Sequence, residues 1–185
     1  MLHYFIVSMF IAALMTGRTP ELGGKKLDIR EIYLASISFL TSSFTSLVST
    51  GIAISVSAGL ATLGNSGPYG FTEMLYAFTS TSINNGSVMA GLKIDTPIIN
   101  LMTILPMLAG RFSTIFVALL IGGSIARKGQ IAVSAASLPV GSPLFVATVV
   151  GVIIIMSALT FFPAMTLGPS LEHLQMVAGA AMEGG

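Results

Sequence analysis

A polar stretch in the middle of the chain contains the residues best suited to chemistry, and it reads Thr79-Ser80-Thr81-Ser82-Ile83-Asn84-Asn85-Gly86-Ser87. Non-helical backbone survives at membrane depth only where it is packed in protein or lines a water-filled path, so its carbonyl oxygens become available to an ion. No carboxylate lies in the stretch, and carbonyl dipoles alone suit a weakly hydrated monovalent cation better than calcium or magnesium. Potassium is the natural candidate. The candidate ligands are backbone oxygens around Gly86, in the run Ser82, Ile83, Asn84, Asn85, Gly86 and Ser87.

The same residues allow two simpler interpretations. Asn85-Gly86-Ser87 matches the acceptor pattern for N-linked glycosylation. Clusters of Gly, Asn and Ser also form plain turns, because these residues tolerate left-handed backbone and bond to their own main chain. On the residues alone, a filter, a turn and a glycosylation site all stay open.

A second candidate is Arg111, near the middle of a long apolar stretch. An unpaired guanidinium there costs at least about 2.5 to 3.5 kcal/mol, so it must face a partner or water. No acidic residue of the chain is expected at that depth. The partner is therefore a set of carbonyls, a carboxylate on a part of the protein outside this chain, or the ion path itself. Arg111 would then act on a pore or gate through its charge, and a helix-packing arginine is the alternative.

Other chemistries find little support. The chain has no cysteine, and His3 and His173 lie too far apart in sequence for a usual metal-binding motif. The many hydroxyls between Ser36 and Thr50 have no histidine or carboxylate beside them, which favours helix packing over hydrolysis. No phosphate-binding loop is present, so we expect no nucleotide on this chain. A secondary transporter is disfavoured because we expect no carboxylate at membrane depth.

Long apolar stretches must position these residues. The chain of 185 residues is 54% hydrophobic and 8% charged, with a mean hydropathy of +0.91. A membrane-spanning helix needs about 17 to 25 apolar residues. The composition predicts an all-α integral membrane protein, and a short apolar segment at 71–81 predicts a re-entrant pore helix before the filter at 82–87, with an ordinary surface helix as the alternative. The predicted transmembrane helices are 1–17, 32–63, 98–126 and 143–167.

The two ends of the chain carry their own expectations. The first apolar stretch is short and has no basic residue before it, which favours a missing upstream half-helix over a cleaved signal peptide. The tail at 168–185 has no long apolar run, so we expect it to fray.

Basic residues predict the orientation of the chain. They concentrate in the segments 18–31 and 127–142, whereas the segment 64–97 holds only Lys93. Because cytoplasmic loops carry an excess of Lys and Arg, the first two segments are predicted to be cytoplasmic. The segment 64–97 and the tail 168–185 are then extracytoplasmic.

Several uncommon motifs carry a resemblance that runs nearly end to end. The sequence resembles the potassium-binding A subunit of the Kdp potassium-importing ATPase complex. The resemblance rests on Gly17-Arg18-Thr19-Pro20-Glu21, Gly67-Pro68-Tyr69-Gly70-Phe71-Thr72-Glu73, Asn84-Asn85-Gly86-Ser87, Gly110-Arg111-Phe112 and Ser142-Pro143-Leu144-Phe145.

The resemblance implies four pore-loop repeats around one filter, of which this chain looks like the last third. The segment 1–17 would be the second helix of the third repeat, 32–126 the complete fourth repeat, and 143–167 the final helix. Gly86 matches the filter glycine of the fourth repeat, and Arg111 matches an arginine below the filter.

The resemblance also implies partners. They are an ATP-hydrolysing P-type subunit, small accessory membrane subunits, and membrane lipid of the plasma (inner) membrane, with potassium as the transported ion and no nucleic acid. Three of the four filter loops are absent, so we expect a fragment or split gene product that pairs with an upstream chain carrying the missing repeats, with a truncated remnant as the alternative. A passive pore-loop channel or Trk-like uptake protein is the alternative, and a structural subunit that binds no ion is a further one.

Overall fold

The computed structural model describes residues 2–130 and 140–183. Nearly all of their regular structure is helical, with one small antiparallel hairpin. The elements in chain order are α1 (Leu2–Thr16), β1 (Glu21–Leu22), β2 (Lys25–Lys26), α2 (Ile29–Ser55), α3 (Ser57–Leu60), α4 (Gly67–Ser82), α5 (Pro97–Ala126) and α6 (Pro143–Glu183).

Three of the described helices are long and apolar enough to cross a membrane. They are α2 with 27 residues, α5 with 30 residues, and the first 18 residues of α6, Pro143–Thr160. The helix α1 is apolar but has only 15 residues. The all-α membrane class is therefore confirmed, with three long spans and one shorter apolar helix where four spans were expected.

The helix predicted at 32–63 begins earlier and ends earlier. It begins at Ile29 because Asp28 and Glu31 form a capping pair, in which the N–H of Asp28 donates to Oε2 of Glu31 over 2.7 Å. It ends at Ser55, because Val56 is extended and the chain then turns into α3. The turn brings Gly59 so close to the carbonyl oxygen of Ala53 that a Cβ atom at Gly59 would overlap it.

The predicted segment 18–31 contains structure that the sequence prediction missed. The strands β1 and β2 pair in the register Glu21 with Lys26 and Leu22 with Lys25. Gly23 and Gly24 connect them, both with positive φ, which is the backbone of a two-residue hairpin turn. The segment 127–142 lies for the most part outside the described residues.

The last two long helices differ from prediction mainly at their ends. The helix predicted at 98–126 corresponds to α5, which contains Pro106 without a break. The helix predicted to end at 167 continues as α6 to Glu183, so the expected fraying is wrong for the described part of the tail. Proline requires φ near −65°, which a helix also uses, and residues 171–183 are mostly strong helix formers, so Pro169 does not end α6.

The chain divides into two compact units, each with its own core. The first unit takes in Met1–Leu40 and Phe112–Ser157, and the second takes in Thr41–Arg111 and Ala158–Gly185. The first core is built around Ile6, Met9 and Ile121, and the second around Met74 and Phe78, all fully buried.

Candidate functional site

The helix α4 carries the candidate site at its C-terminal end. The prediction placed this helix at 71–81, but α4 begins at Gly67, with Pro68 in the first turn, where proline is favoured. Its buried face packs Met74, Ala77 and Phe78 against Ala53 and Ile99. The core of the second unit therefore fixes the helix that precedes the loop.

A Schellman motif ends α4. Asn84 has φ of 59°, in the left-handed region that Asn tolerates better than most residues. Its N–H donates to the carbonyl of Thr81 over 2.9 Å, and the N–H of Asn85 donates to the carbonyl of Ser80 over 2.9 Å. Ser82, predicted as the first filter residue, is instead the last residue of α4, and its hydroxyl donates to the carbonyl of Thr79.

The loop after α4 directs its N–H groups backwards and leaves its carbonyls free. The N–H of Ile83 donates to Thr79, and the N–H of Gly86, which has φ of 82°, also points to the carbonyl of Ser80 over 3.4 Å. The carbonyl of Ser82 packs against Gly110 of α5. Within the described residues, no main-chain or side-chain donor bonds the carbonyl oxygens from Ile83 to Val88. These oxygens are available to a ligand.

The hydroxyl of Ser87 ties the far side of the loop to α4. It lies 3.0 Å from the hydroxyl of Tyr76, 3.0 Å from the hydroxyl of Ser80, and 3.0 Å from Nδ2 of Asn85. The side chains of Tyr76, Ser80 and Asn85 thus hydrogen-bond to one atom of the loop. These hydroxyl and amide side chains therefore hold the loop against the last turns of α4.

Contact with α5 fixes the near side of the loop. A Cβ atom at Gly110 would overlap the carbonyl oxygen of Ser82, so the two helices approach backbone to backbone at this point. The side-chain amide of Asn84 donates to the carbonyl of Met107 over 3.4 Å. Gly110 is therefore needed for the close approach of α5 to the end of α4.

Arg111 directly follows this contact. It is exposed, and within residues 2–130 and 140–183 its guanidinium makes no hydrogen bond or ion pair. The structure therefore brings the backbone of the helix turn containing Arg111 to the end of α4, but it gives the side chain no partner. The alternative in which Arg111 bonds neighbouring loops finds no support in the described residues.

Sequence reasoning missed Glu73, a fully buried carboxylate in α4. The N–H of Asn65 donates to its Oε2 over 3.2 Å, while Oε1 has no hydrogen-bond partner among the described residues. Oε1 lies 3.8 Å from the position that a Cβ atom at Gly91 would take, so the carboxylate lies between the segment before α4 and the segment after the loop. An acidic residue inside an otherwise apolar helix was the signal that could have revealed it.

The predicted loop residues are thus together, but in different roles. Ile83 and Asn84 cap α4, Gly86 continues the turn, and Ser87 anchors the loop. Because the amide of Asn85 already bonds Ser87, the glycosylation motif is part of the loop's own hydrogen bonding.

Comparison with known proteins gives one family. Residues 1–174 match the family described as Potassium-transporting ATPase A subunit. The chain is 46% identical over 180 residues to the potassium-transporting ATPase potassium-binding subunit of Burkholderia mallei, a match that covers 97% of this chain and 30% of that protein. The proteins of the same description from Mesorhizobium japonicum and Chromobacterium violaceum are 44% and 47% identical over 96% of this chain.

The chain spans about 30% of the length of these relatives. The match is to proteins named as subunits of an ATPase, and none of the relatives given above is named as a passive channel or Trk-like protein. It covers the hairpin, the loop after α4 and the Gly110-Arg111 pair alike. The chain therefore belongs to the family of potassium-transporting ATPase A subunits.

Proposed function

We propose that this chain supplies one loop of a potassium selectivity filter to an ATP-driven potassium uptake complex. The observation that carries the proposal is the run of unbonded carbonyl oxygens from Ile83 to Val88 after a capped helix. A potassium filter replaces the hydration shell of the ion with such oxygens. Because the N–H groups of Ile83, Asn84 and Asn85 are already bonded, the carbonyls are left free for the ion.

Electrostatics support a cation at this place. The C-terminal end of a helix carries a partial negative charge of about half an elementary charge, and α4 ends at the loop. The loop itself has no carboxylate. Glu73 is nine residues before Ser82, which at about 1.5 Å per residue places it roughly 13 Å along the helix. Dipoles rather than a full charge therefore face the ion, which favours potassium over a divalent cation.

One loop cannot enclose an ion. The remaining carbonyls come from further loops, which we assign to the part of the relatives that this chain does not cover. On this proposal the chain corresponds to the last third of the subunit, and it requires a chain carrying the other repeats. The hydrolysis of ATP belongs to a P-type partner, with small accessory membrane subunits beside it.

The orientation follows the basic residues. Arg18, Lys25, Lys26 and Arg30 lie around the hairpin, and Lys128 follows α5. We place this end in the cytoplasm of a cell bounded by a plasma membrane, and the loop after α4 on the opposite side.

Arg111 has a separate role in the proposal. It lies one residue beyond the contact of α5 with the end of α4 and has no partner among the described residues. A positive charge beside an ion path raises the energy of a cation there, so Arg111 would limit passive leak.

The filter is tested by a pair of glycine substitutions. Gly86 and Gly23 both have positive φ, of 82° and 60°, and neither would place a Cβ atom within 4 Å of another group. Alanine at either position therefore introduces a similar backbone strain, of about 1 to 2 kcal/mol. In the complete subunit with its partners, Gly86→Ala is expected to weaken the potassium affinity of transport by about tenfold or to admit sodium. Gly23→Ala should change neither, and equal behaviour of the two variants would refute the filter.

Arg111 is tested by a charge series. Arg111→Gln should increase passive potassium leak through the assembled complex, whereas Arg111→Lys should keep leak low because the charge remains. If Arg111→Lys increases the passive leak as much as Arg111→Gln does, Arg111 acts through its fixed hydrogen-bonding geometry and not through its charge.

A further inference from the structure

A second site lies at the C-terminal end of α5. A cavity of about 360 Å³ opens beside the last turns of this helix. Arg30 and Arg127 form its charged part, Leu119 and Leu120 its apolar part, and Gly123 lies between them. The residues all belong to the first compact unit.

The arginines of this cavity are not used by the fold. Within the described residues, neither Arg30 nor Arg127 makes a hydrogen bond or an ion pair, and both are exposed. Lys128 also lines the cavity, but its ammonium group is held by Asp28 and Glu31, each over 2.8 Å. The two guanidinium groups are thus left to recognise an anion.

Helix geometry places the charged and apolar parts on one line. Leu120, Gly123 and Arg127 are spaced by three and four residues and so lie on one face of α5. Seven residues at about 1.5 Å each separate Leu120 from Arg127 by roughly 10 Å. Leu119 is 68% exposed and Leu120 is 51% exposed, both within a helix apolar enough to cross a membrane. An occupant must therefore be anionic at one end and hydrocarbon at the other.

We propose that this cavity binds an anionic phospholipid, with its phosphate between Arg30 and Arg127 and an acyl chain along Leu119 and Leu120. Arginine pairs phosphate oxygens through two parallel N–H bonds. Basic pockets between membrane helices are sites of this kind. Free phosphate would gain nothing from the leucines, and a protein segment with an acidic tip is the remaining alternative.

The chain contains no tryptophan, which permits a site-specific test. In Leu119→Trp the single indole reports on the cavity, and Leu101→Trp is the matched control because Leu101 is 69% exposed on the same helix. The full chain is placed in phosphatidylcholine vesicles that contain a small fixed fraction of nitroxide-labelled phosphatidylglycerol or nitroxide-labelled phosphatidylcholine. Circular dichroism checks that each variant keeps its helicity.

We expect labelled phosphatidylglycerol to quench the indole of Leu119→Trp more strongly than labelled phosphatidylcholine does, and to quench the indole of Leu101→Trp no more strongly. Each arginine should contribute about a fivefold preference. In the Leu119→Trp background, the preference should fall stepwise in Arg30→Gln and in Arg30→Gln with Arg127→Gln, whereas lysine at both positions should retain part of it. Gly123→Leu should also abolish it, since Gly123 lines the cavity, a Cβ atom there meets nothing within 4 Å, and the leucine side chain would then occupy the space of the lipid.

Three results would overturn the proposal. Equal quenching of the cavity indole by the two labelled lipids would show that the arginines select no lipid. Weak quenching by both would show that a protein segment covers the cavity. Loss of the preference in inorganic phosphate, but not in chloride at the same ionic strength, would make a free anion the occupant.

Discussion

The C-terminal ends of α4 and α5 both leave main-chain carbonyls without partners inside the helix, and different groups of the protein bond them. At the end of α5, the ammonium group of Lys25 donates to the carbonyls of Ile125 and Ala126, over 2.9 Å and 3.3 Å. At the end of α4, no lysine or arginine of the described residues reaches the last carbonyls, and N–H groups of the following loop cap them instead. One helix end is neutralised by a cation of the protein, and the other is capped by main-chain N–H groups alone.

Two buried glutamates, one near each of these helices, also differ in how fully they are hydrogen-bonded. Glu31 is fully buried, and its oxygens accept from Ser124, from Lys128 and from the N–H of Asp28. Burial lowers the pKa of Lys128, but its bonds to Asp28 and Glu31 outweigh burial and raise this pKa above its usual value. Glu73 is equally buried but accepts from one N–H only. Glu31 is therefore satisfied by groups of this chain, whereas Glu73 retains unused hydrogen-bonding capacity among the described residues.

The same substitution at the two glutamates tests this contrast most severely. Glu31→Gln removes the charge that holds Lys128, and hydrogen bonds to charged groups contribute about 1.5 to 3 kcal/mol, so the free energy of unfolding should fall by about 2 to 3 kcal/mol. Glu73→Gln keeps an oxygen for the N–H of Asn65 and should change it by less than about 1 kcal/mol. Titration with sodium dodecyl sulfate, followed by circular dichroism, measures both. A larger loss at Glu73 would show that the unbonded oxygen has a partner that stabilises the fold.

The backbone contact at Gly110 should have the next largest effect. Gly110→Ala forces α5 away from the carbonyl of Ser82, and overpacking of this kind costs about 1 to 3 kcal/mol. Gly122 is the control on the same helix, because a Cβ atom there meets nothing within 4 Å. Gly122→Ala should be neutral or stabilise by up to about 1 kcal/mol. Equal melting temperatures for the two alanine variants would contradict the close approach.

Removal of the Ser87 hydroxyl should have a smaller and more local effect. Ser87→Ala leaves Tyr76, Ser80 and Asn85 without their shared partner, and we expect a loss of about 1 to 1.5 kcal/mol together with faster hydrogen exchange in the loop after α4. Ser66→Ala is the control, since the side chain of Ser66 makes no capping bond. Unchanged exchange in the loop would show that Ser87 does not hold it.

The lysine at the end of α5 should give the smallest change. Lys25→Met removes a cation from a helix C-terminus, which costs about 0.3 to 1 kcal/mol and less in high salt. Lys26→Met is the control because the ammonium group of Lys26 makes no bond within the described residues. A salt-independent loss, or the same loss in both variants, would show that Lys25 does not stabilise the end of α5 through its charge.

The lengths of the apolar stretches predicted the long helices of this fold. They did not predict the helix ends and the hairpin, which depend on individual contacts. Apolar runs located α5 almost to the residue, since a mostly apolar stretch of thirty residues with Arg111 as its one charge leaves few alternatives. They missed the early end of α2, because hydropathy continues through the turn at Val56, which brings Gly59 against the carbonyl of Ala53. The hairpin was missed for a related reason, as its strands have only two residues each and leave no alternation to detect.

The candidate site was likewise predicted only in part. The types of residue in the loop indicated its polarity and its lack of carboxylate. They could not show that Ser82 and Asn84 would belong to the end of α4, because a Schellman motif becomes visible only from its hydrogen bonds. Glu73 was missed because its burial is set by segments on both sides of α4 rather than by its own neighbours in sequence.

The length of α6 sets a limit on how the chain can lie in a bilayer. Its 41 residues, at about 1.5 Å each, form a helix of roughly 60 Å, about twice the thickness of a hydrocarbon layer. Its apolar first 18 residues account for one crossing. The remainder, which carries Glu172 and His173, exceeds that one crossing, and it packs on α4 at Gly168, where a Cβ atom would overlap the hydroxyl of Thr72.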